Sequence, residues 1–197
     1  MSMIINQSQI KIIEEIFRNP GINLRGIISS TKLSPNYVSS YVNNLVEKSI
    51  LKEEKLTKKR TYLRRFSLDF SSNMTNNIFL LVKEEEKGIF FENYPKLKPL
   101  FNQIKEEIIG IDFIIVYGSY SRLSAKKDSD IDILIVGNVR NKEHLREILV
   151  SLEIETSIKI ETLDYFKKMK KDALHTQILY EGVLIYDSGK FIEVIKE

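Results

Sequence analysis

Two short apolar runs, Phe113-Ile114-Ile115-Val116 and Ile133-Leu134-Ile135-Val136, frame a Gly118-Ser119 pair and the acidic alternation Asp130-Ile131-Asp132. Runs of this length, rich in β-branched residues and closed by glycine, predict buried strands, the first ending in a tight turn. On a strand alternate side chains share a face, so Asp130 and Asp132 point together while Ile131, Ile133 and Ile135 point into a core. A glycine-built turn opening the next segment presents backbone N–H groups, and here a serine hydroxyl, to an anion such as phosphate. Two clustered carboxylates beside such a turn suit hard Mg²⁺, with substrate phosphates supplying further oxygens.

The string Gly118-Ser119-Tyr120-Ser121-Arg122 followed by Asp128-Ser129-Asp130-Ile131-Asp132 resembles the signature of the minimal nucleotidyltransferases of the DNA polymerase β superfamily. The resemblance covers roughly the last 90 residues. It implies Mg²⁺-dependent transfer of a nucleoside monophosphate from a nucleoside triphosphate to an acceptor hydroxyl, with release of pyrophosphate. Asp130 and Asp132 would be catalytic metal ligands, in a site able to hold two metals about 3.5 to 4 Å apart. Gly118, Ser119, Arg122 and Ser129 would bind the nucleotide. Family members modify proteins, small molecules or nucleic acid, and some are antitoxins that adenylylate a partner toxin. The chain departs from the family at Leu123, where glycine usually follows the arginine.

A third carboxylate on a neighbouring strand usually completes such a site. The strand predicted over Ser157 to Thr162 puts Glu155, Ser157, Lys159 and Glu161 on one side and Ile158 and Ile160 on the other. Glu161 is taken into the catalytic set, with Glu155 as the alternative and Glu153 just upstream. The competing reading is that these are ordinary glutamates paired with Lys159. Without a third acid, metal and nucleotide binding could survive while catalysis fails.

The charge is unevenly spread: residues 1–69 hold 12 Lys+Arg against 6 Asp+Glu, and the remainder 18 against 21, so net charges of +6 and −3 make up the +3 of the whole. The excess predicts an N-terminal part that meets a polyanion. Ile10, Ile13 and Phe17 mark an amphipathic helix over Gln7 to Arg18, stopped by Asn19-Pro20-Gly21. Asn23 caps a second helix through Leu24, Ile27 and Ile28, and Ser34-Pro35 opens a third. On that third helix Val38, Val42 and Leu45 share a face, leaving Asn36, Ser39, Ser40 and Asn43 as a polar surface for bases. Strands over Ile50 to Leu56 and Thr61 to Leu68 flank Lys58, Lys59 and Arg60, with Arg64 and Arg65 on the return. The pattern resembles a winged helix-turn-helix domain, which implies duplex DNA as a partner, phosphates being met by the basic tip. By analogy with other winged helices a homodimer is expected.

The expected architecture is α/β in the α+β sense: a winged helix-turn-helix domain over 1–69, a linker and connecting helices over 70–110, and a nucleotidyltransferase domain over 111–197 with a mixed sheet flanked by helices. Within the middle part, 70–77 reads as linker, and the charge run Lys83 to Lys87 as a solvated face. With no cysteine in the chain, disulfides, thiol catalysis and cysteine-based zinc are excluded. His144 and His175 are surface or packing residues in this reading. No apolar run approaches a membrane span and the first residues lack a signal pattern, so a cytoplasmic protein is expected. One rival function stays open: a DNA-binding regulator whose nucleotidyltransferase-like domain only binds nucleotide or mediates association.

Overall fold

The computed structural model describes residues 5–58, 61–150 and 155–196, and the chain divides into two compact units at Val82/Lys83. No helix among these residues is long and apolar enough to cross a membrane.

The first unit contains α1 (Gln7–Arg18), β1 (Ile22–Asn23), α2 (Leu24–Thr31), α3 (Pro35–Glu47), β2 (Leu51–Lys58), β3 (Thr61–Leu68) and the start of α4 (Asn73–Asn93). The helix starts are set by side chains that satisfy otherwise orphaned amides. Asn6 and Gln9 form a reciprocal capping box, Asn23 caps Gly26, and Ser34 caps Tyr37 ahead of Pro35. Ile12, Ile13, Ile16, Ile27, Val38, Val42 and Phe66 are fully buried and bind the three helices to the sheet. That sheet runs β1-β3-β2, with Lys58 opposite Thr61 at the hairpin tip. It is the winged helix-turn-helix arrangement, with a small third strand, β1, that hydrophobic periodicity does not reveal.

Residues 73–93 form one helix where a linker was expected over 70–77, and it passes through Gly88 without a break. Gly88 is exposed and packs against nothing, so it weakens the helix only by its own flexibility. Lys83 and Glu86 depart from the expected solvated charge run: both are buried, with Nζ 2.6 Å from the Glu86 carboxylate. Burying either charge alone would be costly, and the i, i+3 spacing supplies its neutralising partner.

The second unit continues with α5 (Leu97–Glu107), β4 (Ile111–Tyr117), α6 (Gly118–Ser121), β5 (Ile131–Gly137), α7 (Lys142–Val150), β6 (Thr156–Glu161), α8 (Leu163–Met169), α9 (Ala173–Glu181), β7 (Val183–Asp187) and α10 (Lys190–Lys196). Its sheet has the order β6-β5-β4-β7 and is mixed: β4 is antiparallel to β5 and β7, while β5 and β6 are parallel. Ile114, Val116, Ile131, Ile133 and Ile135 cover one face and pack against Leu100, Ile104, Leu145 and Ile148 of α5 and α7. On the other face Phe113 meets Phe166 and Phe191, each ring 5.4 Å away. Between their ends both faces of the central strands are thus apolar, and one end carries the acidic motif.

A candidate nucleotidyl-transfer site at the head of strand β5

That end is where β4 runs out into Gly118 and β5 begins. Tyr117 pairs with Asp132 across the strands. Gly118 has φ +75 and its Cα lies directly under the Asp132 carboxylate, so a Cβ there would collide with Asp132 Oδ2. The residue must lack a side chain for both reasons, its left-handed backbone and the carboxylate above it. α6 is one turn long, so its contribution to anion binding comes from local amides rather than an extended dipole.

Asp132 is the second residue of β5 and Asp130 lies just ahead of the strand, near enough for its charge to act on Asp132. Asp130 is exposed and Asp132 half-buried. Burial, and then the Asp130 charge, pushes the Asp132 carboxyl above its usual range, while the Ser157 hydroxyl and Arg122 pull it back. Mutual repulsion between two carboxylates is relieved when a dication sits between them, and both offer hard oxygen donors. The pair therefore fits Mg²⁺. Among the described residues no group of three acids or histidines forms a metal cluster.

The parallel register explains why. Asp132 lies opposite Ser157, Leu134 opposite Lys159, and Val136 opposite Glu161. Glu161 is four residues along β6 from Ser157, about 13 Å at strand spacing. Its side chain is 4% exposed and bound by His175 Nε2 at 3.0 Å and Lys159 Nζ at 2.9 Å. The glutamate expected in the catalytic set thus closes a buried polar cluster instead, and His175, 2% exposed and 3.3 Å from Asp172, is a packing and hydrogen-bonding residue. Glu155 is exposed just before β6, and Glu153 lies outside the described residues.

The remaining motif residues are nearby in different states. Ser119 is half-buried at the turn. Arg122 is half-exposed with Nη1 3.7 Å from Glu181. Ser129 is engaged locally, its Oγ accepting the Lys126 N–H at 2.8 Å, so its hydroxyl closes a turn. Leu123 holds φ +53, the conformation that suits the glycine usual in the resembled family, and its side chain is 44% exposed. A left-handed backbone costs a branched side chain about 1–2 kcal/mol, part of which glycine gives back in chain entropy. Leu123→Gly is therefore expected to stabilise the fold by about 0.5–1 kcal/mol, read as a higher midpoint in urea. A lower midpoint would show that the leucine side chain contributes packing that outweighs the strain.

In the first unit Asn36, Ser40 and Asn43 are exposed on α3 and Ser39 is half-buried, opposite the buried Val38, Val42 and Leu45. Lys58 ends β2, and Lys59 and Arg60 lie outside the described residues. Arg64 is committed within the wing: its Nε donates to Glu53 at 2.6 Å and its guanidinium stacks 5.1 Å from the Phe66 centroid. Arg65 is the exposed arginine of that strand.

Comparison with known proteins finds a family match within each unit. The family model "Polymerase beta, Nucleotidyltransferase" matches residues 96–190, and "Winged helix-turn-helix DNA-binding" matches 5–52. A Methanocaldococcus jannaschii protein, named as a candidate protein adenylyltransferase, is 33% identical over 95 residues, which is 46% of this chain and 94% of that one. A solved toxin–antitoxin complex with AMP-PNP aligns over 49% of this chain and 77% of that chain, at TM-score 0.37 and 19% identity. A candidate nucleotidyltransferase from Sulfolobus solfataricus aligns over 55% and 89%, at TM-score 0.33 and 15% identity.

Proposed function

The chain belongs to the polymerase β nucleotidyltransferase family and carries a winged helix-turn-helix domain ahead of it, and from that premise we propose that it adenylylates a protein hydroxyl. The observation that carries this reading is the placement of Gly118 directly beneath the Asp132 carboxylate, with Asp130 beside it. The choice of ATP as donor and of a protein as acceptor is supported by the name of the Methanocaldococcus jannaschii relative.

In this reading the Gly118-Ser119 turn holds the outer phosphates and Asp130 with Asp132 would hold Mg²⁺. The ion, when bound, would neutralise charge developing on the phosphates. An acceptor oxygen attacks the α-phosphorus, the bond from that phosphorus to the bridging oxygen breaks, and pyrophosphate leaves in line. The hydroxyl proton is lost to water, since Asp130 is open to solvent and Ser157 rather than a carboxylate flanks Asp132 on β6. The protein's work is thus positioning and charge compensation.

The test is incubation with α-labelled ATP, Mg²⁺ and cell extract, followed by gel separation. Label on a protein band, with pyrophosphate released, and its loss in an Asp130→Ala/Asp132→Ala double variant, is the expected result. Nucleotide binding without any label transfer would instead favour the regulator that only senses nucleotide, a reading supported by the lack of a three-acid cluster among the described residues.

We also propose that the first unit binds duplex DNA through the exposed polar face of α3, with the hairpin tip on phosphates. Neutralising Lys58, Lys59 and Arg60 together is expected to weaken binding to all duplexes alike. If each cation meets one phosphate, the slope of log affinity against log salt should become shallower by about 3. Asn43→Ala should reduce preference between sequences while leaving that slope unchanged. Binding that ignores salt would defeat the assignment.

A further inference from the structure

The sheet face that carries Asp132 also carries a cation that the family motif does not include. In the parallel register Ser157 stands beside Asp132, and Lys159 is the next residue of β6 on that face, about 7 Å further along. Glu161 Oε1 holds the Lys159 ammonium at 2.9 Å, and Glu161 is itself anchored from the interior by His175, whose other nitrogen is 3.3 Å from Asp172. The lysine head is therefore fixed from below while its side chain remains 38% exposed. An ammonium has three donors, and Glu161 uses one.

We propose that Lys159 is a nucleotide-binding residue, its ammonium taking a phosphate oxygen of the bound triphosphate on the β6 side of Asp130 and Asp132. The inference rests on the transferase reading above. A triphosphate beside two carboxylates leaves an excess of negative charge that cations of this face must offset. Arg122 pairs with Glu181 at 3.7 Å, and Lys159, on the edge strand β6, keeps two of its three ammonium donors beyond the one given to Glu161. The Tyr117 phenol interacts electrostatically with both Asp132 and Lys159. Burial raises its pKa most, the Asp132 charge raises it further and Lys159 lowers it, so one side chain senses both. Glu161 has a second hydrogen-bonding partner besides Lys159, His175 Nε2 lying 3.2 and 3.0 Å from its two oxygens.

The experiment is calorimetric titration of ATP into the full chain, with Mg²⁺ and again in EDTA, for wild type, Lys159→Met and Lys159→Arg. Lys159→Met is expected to weaken ATP binding about tenfold in both buffers and, where transfer is measured, to raise KM for ATP more than it lowers kcat. Lys159→Arg, which keeps the charge, should stay within about twofold of wild type, and melting temperatures should change little at this half-exposed position. Unchanged ATP affinity in Lys159→Met overturns the inference. So does an equal loss in both variants accompanied by a lower melting temperature, which would make Lys159 a structural partner of Glu161. A wild type that binds no ATP at all defeats the transferase reading first, so the two failures are told apart.

Discussion

Asp132→Asn is expected to lower nucleotidyl transfer by about three orders of magnitude or more while raising the melting temperature at neutral pH. The loss follows from removing one of two hard donors: charge compensation at a transferring phosphoryl group is worth several kcal/mol, and about 4 kcal/mol is a thousandfold in rate. The gain follows from the electrostatics of the free site. Burial and then the Asp130 charge hold the Asp132 carboxyl above its usual range, against smaller pulls from Ser157 and Arg122. A carboxyl whose pKa is higher folded than unfolded favours the fold most below the ordinary carboxylate range, and that contribution is lost as pH rises through the raised value. At neutral pH the wild type carries the full cost, and asparagine does not. Melting curves at pH 7 and near pH 4, together with the labelled-ATP assay, check both halves. Asp132→Asn melting below wild type at pH 7 would refute the electrostatic account, and retained transfer would refute the catalytic one.

Gly118→Ala has the second largest expected effect. At φ +75 the methyl group meets the Asp132 carboxylate, its ideal Cβ position falling 3.2 Å from Asp132 Cγ and closer still to Oδ2. The left-handed backbone alone costs alanine about 1–2 kcal/mol, and displacing Asp132 adds to it. We expect a loss of about 2 kcal/mol or more in urea unfolding and transfer reduced at least a hundredfold, since the turn and the carboxylate both move. The first unit should be unaffected, so duplex binding by the variant is the internal control. An alanine variant with wild-type stability would show that Gly118 does not sit under Asp132 as described.

Much of this site was legible in the chain because its parts are close in sequence. Gly118, Ser119, Asp130 and Asp132 lie at or beside the facing ends of adjacent strands joined by residues 118–130, so a glycine turn and the start of an apolar run suffice to mark them in the chain. The winged unit was equally open to inspection, since its caps at Asn23 and Ser34 and its 3.6-residue stripes are local signals. The helix over 73–93 was not: its Ser/Asn-rich start resembles a linker, and its mixed apolar and charged run gives a weak periodicity. The buried Lys83–Glu86 pair was hidden for the same reason, since a charge run carries no sign of which members are buried.

Glu161 marks the limit of alternation. Period-two reasoning says correctly which residues of β6 share the face of Asp132, yet it is blind to how far along that face each one lies. One strand of the sheet reaches β5 only after a helix and residues outside the described set, so its register is set by packing of Ile158 and Ile160 rather than by a turn.

The amino-acid sequence alone determined which residues could be strands and which turn needed glycine, because these are consequences of backbone geometry within a few residues. Only the tertiary structure decided that Ser157 and not Glu161 stands beside Asp132, that Glu161 is buried against His175, and that Lys159 is held on the same face. Those outcomes depend on sliding one strand past another, a displacement that leaves every local preference satisfied and is chosen by the fit of side chains from distant parts of the chain.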